Sequence, residues 1–245
     1  MPDSNAETHF LRAALAPVLR RWAAACADGV VPDRCVLCRA PATMGVCTDC
    51  AADLVVPASP CPGCAQPLPA AGLCPSCLRA APAFDAAWAP FAYAWPLDRL
   101  LLSYKGGSRP QLGRPLAGLF VRHLDPAATR AVDRVIPVPL HDGRLARRGF
   151  NQAERLALGL CRARGLELDT RSARRVLATP SQQGLGRRAR RANLRKAFAV
   201  DADLSGLRVL LVDDVMTTGT TLDMLAREAR RAGAAWVGAA ALARA

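Results

Sequence analysis

At 245 residues the chain is long enough for one large or two smaller domains, and an apolar content of 51% excludes global disorder. The formal net charge of +13 points to a polyanionic partner or substrate, and the excess is local: residues 1–80 balance six basic with six acidic side chains, whereas 144–196 hold fifteen basic and three acidic. No apolar run approaches the roughly 18 residues of a membrane span and no export signal opens the chain, so a cytoplasmic, reducing setting is expected, in which ten cysteines argue for metal rather than disulfides.

Taken in order, residues 6–27 read as an amphipathic helix through Phe10, Leu11, Leu15, Val18, Leu19 and Trp22, with packing as its expected role and partner binding as the alternative. This sets 1–30 apart as an N-terminal helical segment. Four C-x-x-C pairs follow: Cys35/Cys38, Cys47/Cys50, Cys61/Cys64 and Cys74/Cys77, with eight, ten and nine residues between them. Each pair presents two thiolates to one metal, and two pairs complete a closed tetrahedral site. Residues 31–82 are therefore expected to be a double zinc ribbon with two structural Zn²⁺ ions. The simplest pairing is sequential, Cys35, Cys38, Cys47 and Cys50 for one ion and Cys61, Cys64, Cys74 and Cys77 for the other; an interleaved cross-brace is the alternative. Iron–sulfur or redox chemistry needs no such regular set of four. Cys26 and Cys161 fall outside the pattern and read as plain thiols.

Prolines at 57, 60, 82 and 90 punctuate these modules and lead into the third unit, 83–245. Phe84–Trp95 reads as a strand or hairpin. Leu97–Lys105 reads as a helix ending in two glycines, where Lys105 either meets a phosphate or simply supplies a basic last turn. Leu112–Leu124 is a second helix, with His123 on its surface. Val132–Val138 is an apolar strand running into a glycine-containing loop with Arg144, Arg147 and Arg148, suited to a diphosphate. His141 there either lies near the ligand or stabilises the turn. Asn151–Arg164 is a crossover helix and Arg174–Ala178 a short strand. Thr179–Ala192, including Arg188, is basic, rich in turn formers and without apolar periodicity.

The stretch that organises the rest is Val209–Thr221, V-L-L-V-D-D-V-M-T-T-G-T-T. Its four apolar residues fit a strand buried on both faces of a parallel sheet. A helix, Leu222–Ala232, and a last strand, Ala234–Leu242, follow. The helix begins near Gly219–Thr221, where free N–H groups and hydroxyls converge into an anion site. Asp213 and Asp214 sit at the carboxyl end of the strand, where open α/β sheets bind ligands. Beside a phosphate they need a donor, and ribose hydroxyls or a divalent cation supply one. The bland alternative is a buried strand followed by an acidic turn.

This stretch resembles the signature of type I phosphoribosyltransferases, which bind 5-phosphoribosyl-1-diphosphate (PRPP). The resemblance implies that Asp213 and Asp214 hold the ribose hydroxyls, that Thr217, Thr218, Gly219, Thr220 and Thr221 wrap the 5-phosphate, and that Mg²⁺ accompanies the diphosphate. It also implies a diphosphate loop at Arg144 and Arg148, with Lys105 nearby, and a lid at 179–192 carrying Arg188. The expected fold class is α/β, a parallel sheet flanked by helices, preceded by the zinc-ribbon module. With the paired C-x-x-C ribbons, Y-K-G at 104–106, P-V-P-L…R-R-G-F-N-Q and T-P-S-Q, the whole resembles the ComF family of competence-related proteins. That resemblance implies a role in uptake or use of external DNA beside a helicase-like translocase. The basic excess around the cleft adds an expectation of single-stranded nucleic acid binding. An active phosphoribosyltransferase with an unread acceptor and an inactive scaffold are the competing readings.

Overall fold

The computed structural model describes residues 34–176 and 197–245. The expected helix at 6–27, Cys26 and the basic segment 179–192 with Arg188 lie outside the described residues.

Two short helices, α1 (Thr48–Ala52) and α2 (Pro75–Arg79), belong to the cysteine-rich part. Strands β1 (Ala86–Trp88) and β2 (Phe91–Ala92) follow, then α3 (Leu97–Lys105), α4 (Gly113–His123), β3 (Arg134–Pro137), α5 (Asp142–Arg148) and α6 (Gln152–Arg164). The chain continues through β4 (Glu167–Leu168), β5 (Ala173–Arg175), β6 (Phe198–Val200), β7 (Arg208–Met216), α7 (Thr220–Arg231) and β8 (Trp236–Arg244). One sheet runs in the order β1-β8-β7-β3-β4, with β2 also on β8, and every pairing in it is parallel. β5 and β6 form a separate antiparallel pair.

The sheet is covered on both faces, as the continuous apolar runs of β7 and β8 require. Side chains of β7 alternate between two cores. Leu210 and Val212 pack with α3, α4 and α6, while Val209 and Leu211 pack with α7. The cysteine-rich part straddles this arrangement. Val46, Ala51 and Leu54, around the first set of cysteines, join the first core, and Ala65 beside the second set joins the other. Gly45 lies so close to α4 that a Cβ there would meet Pro115 Cγ at 2.5 Å.

The structure settles one open alternative and corrects two expectations. Phe84–Trp95 is a strand rather than a hairpin: β1 and β2 are two pieces of one edge strand, both parallel to β8, interrupted at Ala89 and Pro90 because proline has no N–H for the ladder. The segment after β3 is helical, α5, rather than an open loop. β7 continues to Met216, so Asp213 and Asp214 lie within the strand rather than after it.

Candidate functional site

Residues Val209–Val212 are completely buried, and this rigid strand carries the acidic pair. Asp214 is 7% exposed and Asp213 half-buried. Lys105 Nζ, in the last turn of α3, lies 3.1 Å from Asp214 Oδ1. The basic residue expected to meet a phosphate or close a helix therefore does something further: it compensates a buried carboxylate. Asp213 Oδ1 accepts the Asp214 backbone N–H at 2.8 Å. Burial and the neighbouring Asp214 charge push the Asp213 carboxyl well above the ordinary range, to about 8.

Beyond the pair, Thr217, Thr218 and Thr220 are exposed, and the hydroxyls of Thr218 and Thr220 are 2.8 Å apart. Gly219 takes φ 75°, a left-handed turn, and is the N-cap of the 12-residue α7. It offers no side chain to cap the helix, and the Thr220 N–H makes only a long contact to the Thr218 hydroxyl, at 3.4 Å, so the first turn presents amides and hydroxyls together to an anion, reinforced by the helix dipole.

α5 brings the arginines. Its first turn is capped by His141, whose Nδ1 accepts the Gly143 N–H at 3.2 Å, so His141 takes the turn-stabilising of its two expected roles. Arg148 donates to Gln152 Oε1 at 2.6 Å. Arg147 folds back onto the carbonyl of Gly143, 3.1 Å away. Burial lowers the Arg148 guanidinium, Asp214 raises it and Arg144 lowers it. Arg175 on β5, a residue the sequence reading passed over, behaves alike: burial and Arg144 lower it, Asp213 raises it. Arg144, Arg148 and Arg175 thus share one electrostatic field with the acidic pair. Asn151 fixes the following turn, donating to the Val138 carbonyl at 3.0 Å and accepting from Ala153 N–H at 3.1 Å.

The cysteines pair sequentially. Cys35, Cys38, Cys47 and Cys50 form one set and Cys61, Cys64, Cys74 and Cys77 the other, with the sulfurs of each set within 4.8 Å of one another. Cys38 and Cys47 sulfurs are 3.6 Å apart, as are those of Cys64 and Cys74. A tetrahedral zinc with bonds of about 2.3 Å needs sulfur–sulfur edges of about 3.8 Å, so both sets fit the ion. Backbone N–H groups of Cys50 and Cys77 point at the sulfurs of Cys47 and Cys74, and Cys74 N–H at Cys61. The Cys77 N–H lowers the Cys74 thiol to about 7 against the effect of burial, whereas burial raises Cys64 and Cys77 of the same set. All four ligand positions of each set are filled by protein, so the two zinc sites are structural.

A cleft of about 630 Å³ separates the second set from the threonine loop, lined by Cys64, Cys74 and Cys77 on one wall and Thr217–Thr220 on the other. Arg244, also unremarked in the sequence, lies against it.

The family model of a phosphoribosyl transferase domain matches residues 145–245, and that of a double zinc ribbon domain matches residues 26–78. Fold, cysteine sets and these matches define the class: a phosphoribosyltransferase-type domain joined to a double zinc ribbon. DNA utilization protein YhgH of Salmonella typhimurium is 35% identical over 215 residues, spanning 84% of this chain and 95% of the relative. YhgH of Escherichia coli is 33% identical over the same length and shares. Competence protein F of Haemophilus influenzae is 33% identical over 212 residues, 82% of this chain and 92% of its own. The chain belongs to the family of these competence and DNA utilization proteins, the ComF family. Among the described residues no helix is long and apolar enough to cross a membrane.

Proposed function

We propose that this protein binds PRPP with Mg²⁺ at the β7–α7 junction and single-stranded DNA on the basic surface beside it, serving uptake or use of external DNA in the cytoplasm next to a DNA-translocating partner. The single observation that carries the reading is the juxtaposition of the Asp213–Asp214 pair with the open threonine loop on one side and Arg144, Arg148 and Arg175 on the other. One end suits a phosphate monoester, the middle a sugar diol and the other end a diphosphate. Of the units expected from the sequence, the double zinc ribbon and the unit that follows it serve this role.

Asp213 offers the hard oxygen ligand that Mg²⁺ prefers, and two carboxylates alone leave a site for that ion to arrive with phosphates. When bound, the metal would supply charge neutralisation at the diphosphate. The chain's own contributions are orientation by the threonine loop, acceptance of sugar hydroxyls by the acidic pair, and stabilisation of a leaving diphosphate by the arginines. The competing reading is an active phosphoribosyltransferase, whose acceptor would approach from the acidic pair and the arginines, where the diphosphate leaves.

Calorimetry with PRPP and Mg²⁺, with and without a short single-stranded DNA, tests the proposal. Binding is expected in the wild type and is lost in the double variant Asp213→Ala, Asp214→Ala while that variant still melts cooperatively. Undiminished affinity in the variant removes the acidic pair from the site. DNA that weakens PRPP binding supports a shared cleft, whereas strict independence favours the enzyme reading.

A further inference from the structure

The guanidinium of Arg244 ties the second cysteine set to the threonine loop. Arg244 lies near the end of β8 and is 5% exposed. Its Nε donates to the main-chain oxygen of Cys64 at 3.1 Å, and Cys64 belongs to the second metal set. Its Nη1 donates to the main-chain oxygen of Met216 at 3.1 Å and also to those of Thr217 and Ala245. Met216 and Thr217 are the two residues that lead into Thr218-Gly219-Thr220. A planar guanidinium holds its donors in a fixed fork, so the carbonyl of Cys64 and the start of the loop are kept in one spatial relation. A second tie runs parallel to it: Asp223, in the first turn of α7, accepts the Ala83 N–H at 2.6 Å, just beyond the cysteine-rich part. A shift of Cys64 is therefore passed to the loop by a rigid group.

We propose that Arg244 is a positioning residue through which metal loading of Cys61, Cys64, Cys74 and Cys77 sets the phosphate affinity of the threonine loop. The inference rests on the reading of Thr217–Thr221 as a phosphate loop and adds that the second zinc site governs it. It separates the two ends of the ligand: the loop depends on Arg244, whereas α5 and its arginines do not.

The test uses the zinc-loaded full chain and two probes, ribose 5-phosphate for the loop and inorganic diphosphate for the arginines, each titrated calorimetrically. Arg244→Met is expected to weaken ribose 5-phosphate about tenfold, the scale of one or two lost positioning hydrogen bonds, and to change diphosphate affinity by less than about twofold. Cys77→Ser, which opens the second metal site, is expected to produce the same selective loss. The double variant should lose no more than either single one, as residues acting in one chain of contacts do. Arg244→Lys keeps the charge but not the fork and should recover only part of the affinity. Wild-type ribose 5-phosphate binding by Arg244→Met or by Arg244→Lys overturns the proposal, as do additive losses in the double variant. If Arg244→Met does not fold, Cys77→Ser decides alone: a loss confined to ribose 5-phosphate supports the coupling and unchanged affinity overturns it. A wild-type chain that binds no ribose 5-phosphate fails at the earlier step, removing the phosphate-loop reading itself.

Discussion

Two adjacent carboxylates within a buried strand are costly to hold charged, and the protein compensates them unequally. Asp214 has Lys105 at 3.1 Å, while Asp213 has the Asp214 amide and a weaker pull from Lys105 against burial and the repulsion of its neighbour. The raised Asp213 carboxyl carries a thermodynamic consequence. The folded state holds its proton more tightly than the unfolded chain, so the stability contribution is complete below the unfolded value of about 3.9 and is lost as pH rises through about 8. Asp213→Asn is therefore expected to stabilise the ligand-free protein by roughly 1 kcal/mol at about pH 8, about 2–4 °C in Tm, and by nothing near about pH 4. Thermal melts across that range check it; a gain independent of pH would show that the carboxyl is not strained by its charge. Lys105 itself shows where residue-level reading stopped. Its place at a helix end was visible in the sequence, but its partner lies on a strand far along the chain, and only packing of α3 on the first core brings them together.

At the scale of elements, the turn from β7 into α7 depends on one backbone conformation. Gly219 at φ 75° lies where an L side chain is strained, although an added Cβ would meet nothing nearer than Met216 Sδ at 3.8 Å. Gly219→Ala is thus a test of backbone geometry rather than of space. It should cost about 1 kcal/mol of stability and weaken ribose 5-phosphate, as seen by denaturant titration and calorimetry together. Elements with apolar runs were legible in the sequence: β3, β8 and helices α3, α4, α6 and α7 fall close to their expected ranges, and β7 starts where expected but runs four residues further, through the acidic pair. Their signal is burial, which sequence periodicity reports directly. α5 was missed because none of its residues is buried, so no apolar stripe marks it and only its His141 cap and Gly149 terminus define it. Whether Phe84–Trp95 is a strand or a hairpin stayed open because the partner of β1 and β2, β8, lies far along the chain. Arg175 and Arg244 left no signal for the same kind of reason. Each is an ordinary arginine in a short or terminal strand until the fold places it.

For the molecule as a whole, the cysteine-rich part is built into both cores rather than appended to the ligand domain. Cys35, Val46 and Leu54 pack with α3 and α4, and Ala65 and Phe84 with α7 and β7. Arg230 reinforces the second junction, donating to Asp85, whose Oδ2 also accepts the Val237 N–H at 2.7 Å. Chelation should accordingly release about two zinc ions per chain and lower the melting of the whole protein in one transition, because metal binding here is folding free energy for a shared core. A single equivalent of zinc, or a ligand domain whose melting is untouched, would contradict that picture. Two metal sites were readable from the spacing of the cysteines, since each knuckle closes locally; the choice of sequential over interleaved pairing and the division of the two sites between opposite faces of the sheet were not, since both depend on how the knuckles pack in the fold.

The strand order carries one more implication, for how the chain reaches this state. β8 lies between β7 and the edge formed by β1 and β2, yet it follows every other strand in the sequence. On a ribosome the early edge strand emerges with no neighbour, and the sheet stays open until the strand that joins it to β7 arrives. Closing it joins residues as distant as Ala86 and Gly238, a pairing with a large loop-closure cost and a slow search. The cysteine knuckles, whose contacts are local, can take up metal while synthesis continues. A nascent chain would then wait as a metallated head beside an unpaired edge, exposed to premature association, until the final strand threads into place.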